Sequence, residues 1–264
     1  MMWQTNEEKL MLCRFIAVSL LLPSLALAQD DWANLGRFAA ENQAFGAPDR
    51  NEQRVVFLGD SITQGWSDAS PEFFTGRSYI ERGIGGQTTP QMLVRFRADV
   101  VDLAPAAVVI LAGTNDIAGN TGPASNKMIQ DNLASMAEIA AANEIRVILA
   151  SILPAYDYPW RPGLEPAPRI ALINQWLAQY AADNDHLYLD FYAALVDGRG
   201  GMQERYTTDG VHVSPEGYAV MEELVETVID EALSRPRTQP GVLLFRPKPG
   251  CARTTGNRRS SGCD

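Results

Sequence analysis

The sequence predicts an α/β fold, a central parallel sheet covered by helices on both faces. Three observations carry this. Residues 54–58, 107–112, 146–151 and 187–190 are short segments that are apolar apart from their ends, the pattern of strands buried on both sides. Residues 89–103, 125–143, 168–183 and 215–234 carry apolar side chains at helical spacing. The two kinds of segment alternate between Asn51 and Ser234, as strand–helix–strand crossovers between parallel strands require.

In chain order, the first strand runs into Gly59, which permits a tight turn before Asp60 and Ser61. Residues 78–82 read as a weaker strand leading to the loop Gly83-Ile84-Gly85-Gly86. The strongest strand, 107–112, is followed by Gly113-Thr114-Asn115-Asp116. The last block, Asp209-Gly210-Val211-His212, precedes Ser214-Pro215-Glu216, a helix start with proline in its first turn. In parallel sheets ligands bind beyond the carboxyl ends of the strands. The blocks at Ser61 and Asn115 fall on that edge, and the loop carrying His212 can reach it.

The two ends differ from this body. In residues 1–28, Lys9 and Arg14 precede an apolar run at 15–25, and Ala26-Leu27-Ala28 offers a small-x-small cleavage site. That is the pattern of an export signal, with Met11 an alternative start. The run is short for a membrane span, so a mature protein without stable membrane insertion is expected in the periplasm or outside the cell. Residues 29–234 then form the folded domain. Residues 235–264 are rich in Pro, Gly, Arg, Ser and Thr and read as a disordered basic tail. Cys13 leaves with the signal, whereas Cys251 and Cys263 remain in the tail and can pair in an oxidising compartment. The formal charge is −10. Residues 29–234 hold 13 basic and 29 acidic side chains, and residues 235–264 hold seven basic and one acidic. An acidic body is unsuited to nucleic acid or an anionic membrane surface.

The four blocks supply the parts of an acyl-transfer site. Ser61 is a candidate nucleophile; the competing reading is a helix N-cap. The chain has two histidines, His186 and His212. His186 precedes a strand and lies on the wrong edge. Asp209 can fold back to accept from His212 Nδ1 and leave Nε2 facing a serine. The 83–86 loop lacks a dinucleotide or P-loop pattern and suits one free backbone N–H for an oxyanion. Asn115 can bring a neutral amide donor to the same point, with Asp116 holding the loop. Asp60 reads as a turn-holding residue. No metal-ligand spacing is present, and no cofactor is required.

These blocks resemble those of the SGNH hydrolases, also called GDSL esterases and lipases. The match lies in Gly59-Asp60-Ser61, Gly86, Gly113-Thr114-Asn115-Asp116 and Asp209–His212, over roughly residues 54–233. The stretch Gly83–Thr88 is most similar to the platelet-activating-factor acetylhydrolase-like branch. The resemblance implies a flavodoxin-like three-layer α/β/α sandwich and a Ser61–His212–Asp209 triad. It also implies an oxyanion hole from the Ser61 and Gly86 N–H groups and the Asn115 amide. Two positions depart from the pattern: Ile62 replaces a leucine, and Glu81 stands where an asparagine often precedes the glycine loop.

Substrate is less sharply written. Trp66, Tyr156, Tyr158 and Trp160 are expected on the active edge, where they either stack on sugar rings and line an acyl pocket or pack their loop onto the body. There is no large apolar lid segment. Small-molecule or glycan esters with short acyl groups, such as acetylated sugars, are therefore favoured over lysophospholipids or acyl thioesters. A non-catalytic carbohydrate-binding protein is the remaining class. Oligomeric state is left open.

Overall fold

The computed structural model describes residues 31–235. The export signal at 1–28, the tail beyond Arg235 and the pairing of Cys251 with Cys263 lie outside the described residues. Within them, the strands are β1 (Val55–Gly59), β2 (Tyr79–Gly83), β3 (Ala107–Leu111), β4 (Arg146–Ala150) and β5 (Leu187–Leu189). All pair in parallel, in the order β2-β1-β3-β4-β5. This is the flavodoxin-like order. The weak candidate at 78–82 is thus a full edge strand.

The helices are α1 (Ala39–Phe45), α2 (Ser61–Ala69), α3 (Pro71–Phe74), α4 (Thr89–Asp99), α5 (Thr114–Ala118), α6 (Asn126–Ala142), α7 (Ala167–Asp183), α8 (Phe191–Leu195) and α9 (Pro215–Ser234). Alternate side chains of each strand point to opposite faces, and both faces are apolar. Val56, Leu58, Val108 and Ile110 pack with Met92, Phe96, Ile129 and Ile170 from α4, α6 and α7. Val55, Phe57, Val109 and Ile148 pack with Ile62, Trp66, Met221 and Val225 from α2 and α9.

The helix expected over 89–103 ends at Asp99 and gives way to a 3₁₀ turn, Val101–Leu103. Pro105 disfavours helical geometry at Ala104, which adopts a left-handed conformation instead (φ 47°). The short helices α1, α3, α5 and α8 were not anticipated, since one or two turns are too brief to display a helical period.

The sheet order positions the site. From β1 the chain moves outward to β2, then returns past β1 to β3, so β1 and β3 flank a topological switch point. Gly59 lies level with Gly83 and with Leu111, which brings the carboxyl ends of β1, β2 and β3 flush.

Candidate active site

At the end of β1 the backbone turns at once into α2. Gly59 has no room for a side chain, because a Cβ there would lie 1.9 Å from Thr63 Oγ1. Asp60 caps α2, its Oδ1 accepting from Ile62 N at 3.0 Å. Ser61 is therefore not the cap but the first helical residue, and its hydroxyl is free for other use. It lies 3.1 Å from His212 Nε2.

His212 is held by its own loop. Its main-chain N–H donates to Asp209 Oδ1 at 2.7 Å, its carbonyl accepts from Thr207 Oγ1 at 2.7 Å, and Nδ1 lies 2.7 Å from Asp209 Oδ2. Ser214 caps α9 immediately after, with Pro215 in the first turn. Burial pushes the Asp209 carboxyl upward, but hydrogen bonds from the His212 ring and from the His212 and Val211 N–H groups outweigh it, and the net shift is downward. An ionised Asp209 accepts only, so Nδ1 carries a proton, and in the neutral ring Nε2 is then the acceptor that faces Ser61 Oγ. His186, by contrast, precedes β5 at the opposite edge of the sheet, against Tyr180.

The glycine loop is fixed without spending its last amide. Ile84 N donates to Gly59 O at 3.1 Å, and Gly85 N to Gln64 Oε1 at 2.9 Å. Gly86 takes a positive φ of 76°, a conformation that favours glycine. The N–H groups of Ser61 and Gly86 have no partner among the described residues. Asn115, one residue into α5, is buried. Its Nδ2 donates to Asp60 Oδ2 at 3.2 Å and to Gln87 O at 3.1 Å, and its Oδ1 accepts from Asn120 Nδ2 at 2.8 Å. Asp116 ties α5 to α4, accepting from Thr89 N and Thr89 Oγ1 at 2.9 and 2.6 Å.

Ser61, Gly86, Asn115, Asn120, Trp160 and His212 line an open groove of about 250 Å³. Of the four aromatic residues expected there, only Trp160 reaches it. Trp160 is 40% exposed, its ring 6.0 Å from the His212 ring. Trp66 must be reassigned: it is 1% exposed, stacked on Phe73 and on Tyr218, with Nε1 donating to Glu222. It lies four residues after Ile62, on the core-facing stripe of α2. Tyr158 is likewise corrected, since it is fully buried beneath Trp160 with its hydroxyl 2.9 Å from Thr114 Oγ1. Tyr156 is exposed but sits under Arg199 in a neighbouring depression that touches Asp209.

Sequence reasoning missed three supporting residues. Arg95 is fully buried and crosslinks the site from behind, donating to Asp99, Gln87 Oε1 and the carbonyls of Gly59 and Arg82. Gln64 holds Gly85. Asn120 joins Asn115 to Gly86, donating to Gly86 O at 3.2 Å. Glu81 does occupy the space behind the loop, where its carboxyl accepts from Gly83 N. Burial raises it to about 7. Burial also raises Asp60 to about 6.

Among known proteins, a model of the GDSL-like lipase/acylhydrolase family matches residues 57–220. Esterase TesA of Pseudomonas aeruginosa PAO1 is 30% identical over 173 residues, 61% of this chain and 79% of TesA. A crystal structure of a Bacteroides fragilis NCTC 9343 protein assigned as an acylhydrolase superimposes with a TM-score of 0.76 at 49% identity, covering 77% of this chain and 99% of that one. A GDSL-like lipase of Bacteroides thetaiotaomicron VPI-5482 gives 0.75 at 47% identity, covering 76% and 99%. The fold, the family match and these relatives together make the chain a carboxylic ester hydrolase that belongs to the GDSL-like lipase/acylhydrolase family.

Proposed function

We propose that the protein hydrolyses short-chain carboxylic esters, including acetyl groups on carbohydrates, through a Ser61 acyl-enzyme. The carrying observation is the unbroken chain from Ser61 Oγ to His212 Nε2, 3.1 Å, and from His212 Nδ1 to Asp209 Oδ2, 2.7 Å. His212 takes the Ser61 proton as Oγ attacks the ester carbonyl, and Asp209 stabilises the imidazolium that results. The tetrahedral oxyanion is met by the unspent N–H groups of Ser61 and Gly86. Asn115 is the third donor in this reading, giving the charged oxyanion one of the two hydrogens that its Nδ2 otherwise directs at Asp60 Oδ2 and Gln87 O. His212 then protonates the leaving alcohol. Water enters, gives a proton to His212 and attacks the acyl-enzyme, and the acid leaves as Ser61 is restored.

Short acyl groups are supported by the groove itself, which is small, open and walled by Trp160 rather than by an aliphatic tunnel. Trp160 is already stacked on Tyr158 from one side and offers a rigid, half-exposed ring to a sugar. Residues 1–28 support export, so an extracellular or periplasmic ester is the substrate envisaged.

A series of p-nitrophenyl esters tests the acyl preference. Each methylene adds about 0.8 kcal/mol of binding only where an apolar groove receives it. The acetate or butyrate is expected to give a higher kcat/KM than the decanoate. A steady rise to twelve or more carbons overturns the short-acyl reading in favour of a lysophospholipase or thioesterase.

A further inference from the structure

We propose that Asn120 is a positioning residue for the oxyanion site, fixing the orientation of the Asn115 amide and anchoring the Gly86 loop from the groove rim. The inference rests on the preceding reading, in which Asn115 and Gly86 serve the oxyanion. A relay of amides carries it. Asn120 Nδ2 donates to Gly86 O at 3.2 Å and to Asn115 Oδ1 at 2.8 Å, while Asn115 Nδ2 donates inward to Asp60 Oδ2 and Gln87 O.

The two ends of an asparagine side chain have nearly the same shape and opposite hydrogen-bonding character. Turned one way, Asn115 offers an oxyanion a donor; turned the other way, it offers a repelling oxygen. Asn120 decides between them. A carbonyl can only accept, so Gly86 O fixes which end of Asn120 faces it, and the second hydrogen of the same NH₂ then requires Asn115 Oδ1. The backbone holds this geometry, because Asn120 N–H donates to Asn115 O at 3.0 Å just after the left-handed Gly119 that ends α5. Below about pH 6 the inner contacts do not enforce the orientation alone. Burial raises Asp60 to about 6, and a protonated Asp60 can donate to a reversed amide, leaving only Gln87 O to oppose it.

Asn120 is exposed, so its replacement is not expected to disturb the core. The test is a double-mutant cycle on the whole protein with p-nitrophenyl acetate, comparing wild type, Asn120→Ala, Asn115→Ala and the double variant. Asn120→Ala is expected to lower kcat about tenfold, the size of one lost hydrogen bond, with KM nearly unchanged and Tm held. In the Asn115→Ala background, Asn120→Ala should cost clearly less than it does alone, since only its bond to Gly86 O is left to lose. Multiplicative losses, a loss confined to KM, or an unchanged kcat would each overturn the proposal. Ser61→Ala, run alongside, separates the two readings. If it retains turnover, the acyl-enzyme reading fails. If it and Asn115→Ala are impaired while Asn120→Ala is not, only the role of Asn120 falls.

Discussion

At the residue scale, two side chains of one type are separated by their surroundings. His212 is hydrogen-bonded on both ring nitrogens, to Ser61 and to Asp209, while His186 packs beside Tyr180 at the far edge of the sheet. His212→Ala should therefore remove nearly all turnover, and His186→Ala should leave kcat within about twofold, since surface and remote substitutions rarely reach the site. Steady-state kinetics on both variants checks this, and the reverse ranking would redraw the base. Trp66 carries a different expectation. Buried between Phe73 and Tyr218, it is a core residue, and Trp66→Ala should cost about 3–5 kcal/mol of stability. Urea unfolding measures that, and an altered acyl-chain preference without loss of stability would return Trp66 to the substrate site. The distinction was open to a reader of the sequence: Ile62 and Trp66 are spaced for one helical face. Nearness to Ser61 along the chain obscured it.

At the element scale, the β1–α2 junction sets the reach of Ser61. Gly59 allows Thr63 to fold back onto the strand end, and Asp60 caps the helix, so the first helical side chain projects into the groove. Gly59→Ala places a methyl group where Thr63 already sits, and overpacking of this kind costs about 1–3 kcal/mol. A thermal melt should show the loss, and Gly59→Ala with Thr63→Ser should not recover it, because Oγ1 is the nearest atom. Full wild-type stability in Gly59→Ala would mean that the junction has slack. The long elements were legible because continuous apolar strands and multi-turn helices repeat their signal several times. The short ones, α5 above all, were not, although α5 carries Asn115. Its five residues hold no period, and only Gly113 before it and Gly119 after it mark its limits. Asn120 escaped notice for the same reason: in sequence it is one more polar residue in a glycine-rich turn, and its bond to Gly86 exists only once β2 and β3 flank β1.

At the scale of the whole molecule, the sheet gathers residues from four separated blocks onto one edge, and polar groups behind that edge are buried to hold them. This has a signature in pH. Glu81 rises from an ordinary 4.5 to about 7 because burial disfavours its charge. Such a group binds its proton more tightly in the folded state. Its contribution to stability is full below the ordinary carboxylate range and is lost as pH rises toward 7. Glu81→Gln keeps the acceptor for Gly83 N without the charge. Its Tm advantage over wild type should thus be small at pH 4 and largest near pH 8, worth at most about 3 kcal/mol before allowance for partial exposure. An advantage independent of pH would contradict this origin. The buried relay behind the loop, Arg95 with Gln87 and Asp99, was invisible in sequence because an arginine within a helix normally reads as a solvated face. The nucleophile remains the point on which the chemistry turns. Intact-mass analysis after fluorophosphonate treatment, followed by peptide mapping, tests it most directly. One equivalent of adduct should form on Ser61, with matching loss of esterase turnover and no adduct in Ser61→Ala. Full turnover in a protein labelled at Ser61, or inactivation with the adduct on another residue, would contradict it.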